Sequence, residues 1–283
     1  MIRRRLGRGL LMMVLVTFGA LTLLPFVWMV CAAVKTPADF IAYQFLPGGP
    51  GFLGIAWDRL TTANFFRAFT VLPMGRALLH SVFLASVTSV LSTLCCSAGG
   101  YALAKFRFAG RGFITTLVLG TVVLPAALLL GPSFETVYHL GLVDTYAAVI
   151  LPALTPAFGI YLFRQAMLNS VPSELIECAR LEGCGEIRIF VEIVVPLVRP
   201  MIGTYLALAF IGSWNNFLNP QVMLQSPERY PLSVAIFNLR GLYGSDYGLI
   251  MAGMLISVAP VMCLFLVLQR EFISGLTSGA VKG

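Results

Sequence analysis

Charged residues are scarce in this chain: Asp, Glu, Lys and Arg together make up 11% of its 283 residues. Soluble globular domains carry about 25% charged residues, so water is not the main solvent of this protein. Hydrophobic residues make up 58% of the sequence, which is more apolar surface than one soluble core of this size can bury. The composition therefore excludes an ordinary soluble domain and indicates an integral membrane protein.

Metal-ligand and disulfide patterns are missing as well. The two histidines, His80 and His139, are far apart, and no C-x-x-C pair exists, so no metal site is expected. Four of the six cysteines lie in apolar runs and two lie in a segment predicted to be cytoplasmic, where thiols stay reduced. We therefore expect the cysteines to be small packing residues: Cys31, Cys95, Cys96, Cys178, Cys184 and Cys263.

Motifs for chemistry on a bound substrate are also absent. None of the three lysines follows a glycine, so there is no phosphate-binding G-x-x-x-x-G-K loop, and H-E-x-x-H and G-x-S-x-G are missing. His80 and Ser81 stand at the start of an apolar run, where an interfacial role is expected rather than catalysis. We predict that the chain is not an enzyme and binds no cofactor itself.

Six long windows free of charged residues are present, and about 20 apolar residues cross a bilayer as a helix. The first window, Gly9–Val34, is longer than a signal-peptide core of about 7–15 residues and is predicted to be a retained span. A further window, Phe40–Trp57, contains P-G-G-P-G and is predicted to be a loop. Residues 1–8 then form the N-terminus and residues 9–283 one transmembrane domain, with spans at about 10–33, 78–103, 112–131, 145–163, 201–219 and 248–269.

The basic residues separate these windows instead of forming a patch, so the net charge of +7 does not indicate nucleic-acid binding. With six spans both termini lie on the same side, and that side holds 13 of the Lys and Arg residues against 6 on the other. Basic residues are enriched in cytoplasmic loops, which predicts that both termini are cytoplasmic.

Polar residues inside the windows indicate either close packing between helices or a path for the substrate. Small and polar residues recur every four positions in the second window, on one helix face, and ordinary helix packing is their simplest explanation. These residues are Ser81, Ala85, Ser89, Thr93 and Ser97. In the fifth window, Ser213, Asn215 and Asn216 either line a substrate path or hydrogen-bond neighbouring helices, since polar groups at this depth avoid lipid.

The outer segment Thr61–Thr70 clusters three phenylalanines, Phe65, Phe66 and Phe69. It is either an amphipathic interfacial helix or a contact with another protein, and the sequence does not choose between them.

The predicted cytoplasmic stretch 164–199 carries the strongest signals for function. Pro172 and Glu174 suit a first helical turn, where a missing N–H costs nothing and a carboxylate faces the positive end of the helix dipole. We predict a short helix there, with Glu177 and Arg180 paired three residues apart.

Gly183 and Gly185 break that helix, and a second one is predicted from Glu186 to Val194, ended by Pro196. Four apolar residues of the first helix are expected to be exposed: Leu175, Ile176, Ala179 and Leu181. The loop then packs on its own spans, rests on lipid head groups, or docks into a cytoplasmic partner. Five glutamates in the stretch argue against an anionic lipid surface.

The spacing in this loop closely resembles the E-A-A-x3-G-x9-I-x-L-P motif of ABC importer permeases. Glu177, Cys178 and Ala179 open the motif, and Gly183, Ile193 and Pro196 complete it. Cys178 stands for the middle alanine, and Val195 stands for the leucine. Further segments are similar to carbohydrate permeases of the maltose transporter type: Gly100–Phe108, Leu142–Tyr146, Phe158–Gln165, Gly212–Asn215 and Gly275–Gly283.

This resemblance implies an all-α integral membrane protein with six transmembrane helices and the type I ABC importer permease fold, in the inner membrane of a prokaryote. It implies a sugar importer subunit that works with a second permease, a dimer of ATP-binding subunits that holds ATP and Mg, and an extracytoplasmic sugar-binding protein. The loop would be the coupling helix that contacts the ATP-binding subunit. Its expected contact residues are Pro172, Glu174, Glu177, Cys178, Ala179, Gly183, Ile193 and Pro196.

Two alternatives remain open at this stage. A permease for another solute, such as a polyamine, needs acidic residues in its path, and the six windows contain no Asp or Glu. A stand-alone channel would leave the cytoplasmic motif without a purpose. Co-purification separates the channel from an importer: an importer subunit should bring down an ATPase and a second permease, whereas a channel should come alone or as a homo-oligomer.

Overall fold

The computed structural model describes the backbone of residues 2–71, 73–242 and 246–280, and the side chains of residues 8–71, 73–239 and 246–266. The C-terminal stretch Gly275–Gly283 therefore lies, in its side chains, outside the described residues. Apart from an isolated antiparallel bridge between Gly48 and Ile55, the regular structure in these ranges is helical. The helices are α1 (Ile2–Ala33), α2 (Pro37–Ala42), α3 (Ala63–Val71), α4 (Met74–Lys105), α5 (Arg111–Val122), α6 (Leu130–His139), α7 (Tyr146–Ile150), α8 (Ala157–Ser170), α9 (Ser173–Leu181), α10 (Glu186–Ile189), α11 (Val195–Leu197), α12 (Arg199–Trp214), α13 (Leu218–Met223), α14 (Leu232–Leu242) and α15 (Tyr247–Ala280).

Three described helical segments are long and apolar enough to cross a membrane: Arg8–Ala33, Met74–Lys105 and Tyr247–Leu266. Three pairs of helices meet the same criterion when each pair is joined across a short break, with bends of 107°, 43° and 85°. Counting each bent pair as one span gives six, the number that the charge-free windows predicted.

The bends interrupt spans that were predicted only by their bounds, and proline causes two of them. The span predicted at 112–131 is interrupted after Val122. Pro125 is extended and immediately precedes the next helical turn, which begins at Ala126. The span predicted at 145–163 bends before Pro156, and its second helix continues to Ser170. Proline cannot donate a hydrogen bond to the preceding turn and disfavours the helical conformation at the residue before it. Because α8 continues to Ser170, residues 164–170, which were predicted to belong to the loop, are helical.

The fifth predicted span, 201–219, also ends early. Helix α12 stops at Trp214, so Asn215 and Asn216 follow the helix and do not lie within it. Both asparagine side chains bond to nearby backbone, which competes with helical hydrogen bonding: Asn215 Nδ2 donates to the Ile211 carbonyl (3.0 Å), and Asn216 Oδ1 accepts from the Asn219 amide (3.3 Å).

The chain divides into two compact units, Met1–Gly75 with Ala235–Pro260 and Arg76–Val234 with Val261–Gly283. The assignment of residues 9–283 to a single permease domain stays a prediction. In the first unit, Phe40–Trp57 is mainly loop, as predicted, and the helix considered over Thr61–Thr70 is present as α3. Phe66 and Phe69 on α3 are exposed.

In the first unit, Lys35 and Asn64 hold the segment that follows α1 against the end of that helix. The Lys35 side chain is 1% exposed, and its ammonium donates to the Tyr43 carbonyl (2.7 Å). Asn64 Nδ2 donates to the carbonyls of Ala33 (2.8 Å) and Lys35 (2.9 Å). The last carbonyls of a helix have no partner within it, so these bonds satisfy groups that α1 leaves open.

In the second unit, α4 is the central helix. The predicted stripe on it is confirmed as a packing face, since Ser81, Ala85, Ser89, Thr93 and Ser97 are all buried. Gly100, one turn nearer the helix end, lies against the backbone of α8: a Cβ there would be 2.8 Å from the Arg164 amide nitrogen. Small residues therefore set how closely α4 and α8 approach.

Asp144, between α6 and α7, organises a loop network in the second unit. It has φ +61°, and its amide donates to the Met223 carbonyl (2.8 Å). Its carboxylate accepts from the amides of Gln225 (2.9 Å) and Ser226 (3.0 Å), the Ser226 hydroxyl (2.6 Å) and the Arg229 guanidinium (2.6 Å). These bonds to the charged form, those from Ser226 above all, lower the pKa of Asp144 from 3.8 to about 2.

We expect Asp144→Asn to lower the free energy of unfolding at pH 7 by about 1–3 kcal/mol, because hydrogen bonds to a charged group are lost while Asn still tolerates the left-handed conformation. Because the pKa of Asp144 is lower in the folded state, its ionised carboxylate stabilises the folded protein above about pH 4. This contribution is lost as the pH falls toward about 2. The difference in melting temperature between wild type and variant in detergent should therefore shrink over that range. Asp58→Asn, at an exposed carboxylate with no ion pair in the described part of the chain, is the control. A wild-type advantage that is independent of pH would contradict this assignment.

Candidate functional site

Helix α9 (Ser173–Leu181), within the motif-bearing loop, is bounded by two backbone features. Pro172 precedes it in extended conformation, with φ −61° and ψ 136°. Beyond its other end Gly183 has φ +83°, in the left-handed region. The Gly183 amide donates to the Arg180 carbonyl and the Cys184 amide donates to the Ala179 carbonyl, each at 3.0 Å. This pair of bonds is a Schellman motif, which glycine adopts without strain and which ends the helix at a fixed residue.

One face of α9 is seated in the core of the second unit. Ile176 is 2% exposed and Ala179 is 7% exposed, and both belong to a buried apolar cluster that includes Met167 of α8. The prediction that all four apolar residues of α9 are exposed is therefore wrong for these two, since positions three apart share the inward face. Leu175 and Leu181 are exposed as predicted, Leu181 by 89%.

The opposite face of α9 is exposed. Positions three, four and seven residues apart lie on the same face of a helix. The residues on this face are Glu174, Glu177, Cys178 and Leu181. In the described part of the chain Glu177 makes no hydrogen bond and no ion pair. This face therefore offers two carboxylates and an apolar side chain that its own chain leaves uncovered.

An ion pair braces the C-terminal end of α9. Arg180 Nε donates to Glu186 Oε1 (2.6 Å) and Arg180 Nη2 donates to Glu186 Oε2 (3.2 Å), while the Tyr101 hydroxyl of α4 donates to Oε2 (3.0 Å). The Glu186 carboxylate raises the pKa of Arg180. The predicted Glu177–Arg180 pair does not form, because the turn at Gly183 brings Glu186 back to Arg180.

Lys105, the last residue of α4, holds the other end of α9. Its ammonium donates to the Val171 carbonyl (2.6 Å) and to the Ser173 hydroxyl (3.2 Å). Both ends of α9 are thus bonded to the end of one long membrane helix.

The helix predicted to end at Pro196 runs further. Helix α10 continues as a π-helical turn, Phe190–Val194, and then as α11 through Pro196 to Leu197. Proline cannot donate to the carbonyl four residues before it, and a π turn immediately upstream is one way to accommodate it within a helix. Ile193 is half-buried, Pro196 is exposed, and neither belongs to the exposed face of α9.

A second feature of this unit is a cavity of about 190 Å³ among α4, the α7–α8 break and α12. Its polar lining residues are Thr88, Ser92, Tyr205, Ser213 and Asn216. The Ser92 and Tyr205 hydroxyls are hydrogen-bonded at 3.1 Å, and the buried Thr88 hydroxyl has no hydrogen-bond partner among the described residues. Of the predicted path residues, Ser213 and Asn216 line this cavity, whereas Asn215 bonds to the end of its own helix.

Three cavity residues, Thr88, Ser92 and Tyr205, were not predicted from the sequence. A signal for two of them was present: Thr88 and Ser92 are hydroxyl residues four apart in a membrane span, beside the small-residue stripe. Tyr205 carried no such signal, since aromatic residues are common in spans.

A family model described as "Binding-protein-dependent transport system inner membrane component" matches residues 96–272. An arabinooligosaccharides transport system permease protein, AraQ, of Halalkalibacterium halodurans is 40% identical over 225 residues, which cover 79% of this chain and 80% of the relative. The lactose transport system permease protein LacG of Rhizobium radiobacter is 32% identical over 281 residues, 99% of this chain and 98% of the relative.

Among solved structures, a chain of a bacterial ABC transporter involved in the import of the acidic polysaccharide alginate superposes with a TM-score of 0.78. The superposition covers 95% of this chain and 97% of that one at 22% identity, a likeness of fold. This fold and the family match agree with the braced helix α9 and the six candidate spans. The chain therefore belongs to the family of inner membrane components of binding-protein-dependent transport systems and has the fold of an ABC importer permease.

Proposed function

We propose that this chain is the membrane subunit of an ATP-driven sugar importer, in which it forms half of the translocation path and α9 docks on an ATP-binding subunit. The observation that carries the proposal is the two-sided character of α9. Its inner face is fixed by Ile176 and Ala179, and its outer face leaves Glu177 without a partner. A helix whose inner face is packed against its own chain and whose outer face is exposed is suited to receiving force from another protein.

The bracing gives a physical route for that force. The Glu186 contact with Tyr101 and the Lys105 contacts with Val171 and Ser173 join α9 to α4, so a displacement of α9 acts directly on a membrane helix. Free energy of ATP binding is transmitted only if the docked subunit favours one of two arrangements of these helices. The exposed members of the predicted contact set are the proposed docking residues: Pro172, Glu174, Glu177, Cys178, Gly183 and Pro196. Ala179 and Ile193, also predicted as contacts, pack against the chain's own apolar cluster instead.

The cavity beside α12 supports a neutral, hydroxyl-rich substrate. Its described lining contains no charged side chain, and hydroxyl and amide groups such as Thr88, Ser213 and Asn216 suit hydrogen bonds to sugar hydroxyls. The unpartnered Thr88 hydroxyl gains a hydrogen bond when such a substrate is present. A polyamine, in contrast, requires carboxylates. The relatives named for arabinooligosaccharides and lactose favour a sugar.

The cavity volume also supports a heterodimer. At about 190 Å³ it is smaller than the roughly 300–1,000 Å³ of typical small-molecule sites, so a second permease would supply the remaining walls. An extracytoplasmic binding protein would deliver the sugar, and ATP with Mg would be held by the ATP-binding subunits, since this sequence has no phosphate-binding loop. In this arrangement the chain is not an enzyme, and both termini lie in the cytoplasm.

Reconstitution tests this function directly. The chain would be purified with the ATP-binding subunit, second permease and binding protein encoded beside it, and then placed in proteoliposomes. We expect uptake of a labelled arabino-oligosaccharide that requires both ATP and the binding protein, and no uptake of spermidine. Uptake by the chain alone without ATP would identify a channel, and uptake of spermidine would identify a polyamine permease; either result would overturn the proposal.

A further inference from the structure

A second, larger cavity of about 780 Å³ lies between α9 and the loop that follows α4. Four of its lining side chains are cationic and two are anionic, so its lining has an excess of two positive charges. The charged groups are Lys105, Arg107, Arg111, Arg180, Glu177 and Glu186. Such an excess suits an anionic ligand.

Two of the four cations are already committed. Arg180 is neutralised by Glu186, and the Lys105 ammonium donates to Val171 and Ser173. Arg111 uses one guanidinium N–H on the Phe106 carbonyl (3.1 Å), which leaves four of its five donors. Arg107 is exposed and makes no hydrogen bond or ion pair with the described residues. Two guanidinium groups with free donors therefore line the same cavity, which is the arrangement that holds a phosphate in bidentate geometry.

The position of the cavity indicates the source of that phosphate. Residues 106–110 join the end of α4 to the start of α5, both parts of membrane spans, so this loop lies where lipid head groups lie. Phe106 and Phe108 also line the cavity, and Phe108 is exposed beside the arginines. Basic pockets between membrane helices on the cytoplasmic side bind anionic head groups.

We propose that this cavity binds the phosphate of an anionic phospholipid head group through Arg107 and Arg111. A lipid in this position lies beside Glu177 and Arg180 and so fixes α9 relative to the membrane surface. The inference goes beyond the proposed import function and uses it only to assign the loop to the cytoplasmic leaflet.

Native mass spectrometry of the purified assembly tests the site by counting retained lipids. We expect wild type to retain phosphatidylglycerol in preference to phosphatidylcholine. Each basic residue near an anionic surface contributes roughly a fivefold change in affinity, so Arg107→Gln should reduce the preference about fivefold and the double variant with Arg111→Gln roughly 25-fold. Arg199→Gln is the matched control, because Arg199 is an exposed arginine of the same predicted leaflet outside this cavity.

Three outcomes would overturn the proposal: equal retention of the two lipids, retention that is unchanged in the double variant, or displacement of the lipid by millimolar inorganic phosphate. Loss of the ATP-binding subunit from the double variant with lipid retention intact would assign the cavity to a protein interface and also overturn it. Arg107→Gln alone should keep the wild-type melting temperature, since no described contact is lost. Lipid retention is measured without transport, so failure of sugar uptake and failure of lipid binding are separate results.

Discussion

Glu177→Lys is expected to reduce ATP-driven uptake to below about a tenth of wild type while the chain still inserts and folds. Glu177 has no partner in the described part of its own chain, so its replacement removes no intramolecular bond. Breaking a charge contact at a docked interface costs about 2–5 kcal/mol, which weakens binding of the ATP-binding subunit by roughly 30-fold or more. The effect therefore falls on assembly and coupling.

Gly183→Asp is the companion variant for the same interface. A Cβ at Gly183 meets open space, and Asp tolerates the left-handed conformation better than most residues, so the folding cost is about 1 kcal/mol. A large loss of uptake would then come from the added side chain and charge at the docking surface. We expect uptake to fall as far as in Glu177→Lys.

The measurement is sugar uptake in proteoliposomes, together with co-purification of the ATP-binding subunit. Glu182→Lys is the matched control, because Glu182 is also an exposed glutamate near the end of α9 and is not among the proposed docking residues. It should retain most of the uptake. Normal uptake by both Glu177→Lys and Gly183→Asp would refute α9 as the coupling helix.

Gly100→Ala is expected to have the largest effect on folding. The new Cβ would lie 2.6 Å from the Phe163 Cβ and 2.8 Å from the Arg164 amide nitrogen. Backbone on α8 cannot yield as the end of a side chain can, so α4 and α8 must separate. Such overpacking costs about 1–3 kcal/mol or more, of which the better helix propensity of Ala recovers about 0.5–1 kcal/mol.

The neighbouring residue supplies the control for this prediction. A Cβ at Gly99 would meet only Ile160 side-chain atoms at 3.7 Å, an ordinary contact, so Gly99→Ala should be neutral or slightly stabilising. We expect the Gly100 variant to melt about 2–12 °C below the Gly99 variant in detergent, a difference of roughly 1–3 kcal/mol, since the propensity gain is common to both variants. Equal melting temperatures would show that the two helices do not approach as closely as described.

Several local features of the loop followed from the sequence. The residues Pro172 and Gly183 predicted the two ends of α9, because a proline at the helix start and a left-handed glycine after the last turn act through their own backbone. Pro172 lies immediately before the first turn rather than within it as predicted. The partner of Arg180 was predicted incorrectly. Spacing along one helix favours Glu177, whereas the turn after Gly183 brings Glu186 within 2.6 Å.

Burial and cavity lining were harder to predict. Ile176 and Leu175 are both apolar and adjacent, yet one is buried and the other exposed, according to which side of α9 faces α8. Thr88 and Tyr205 come from helices far apart in the sequence and meet only where the α7–α8 span is broken. The residue pattern of a single helix does not predict that its side chains line a cavity together with those of a remote helix.

The sequence by itself determined that the chain is a six-span membrane protein with a motif-bearing loop, because hydropathy, charge bias and capping residues act over a few turns of chain. Only the tertiary structure decided where the spans bend, which face of α9 is seated against α4 and α8, and which hydroxyls share a cavity. These depend on distances between segments that are remote in sequence, and packing between such segments sets them.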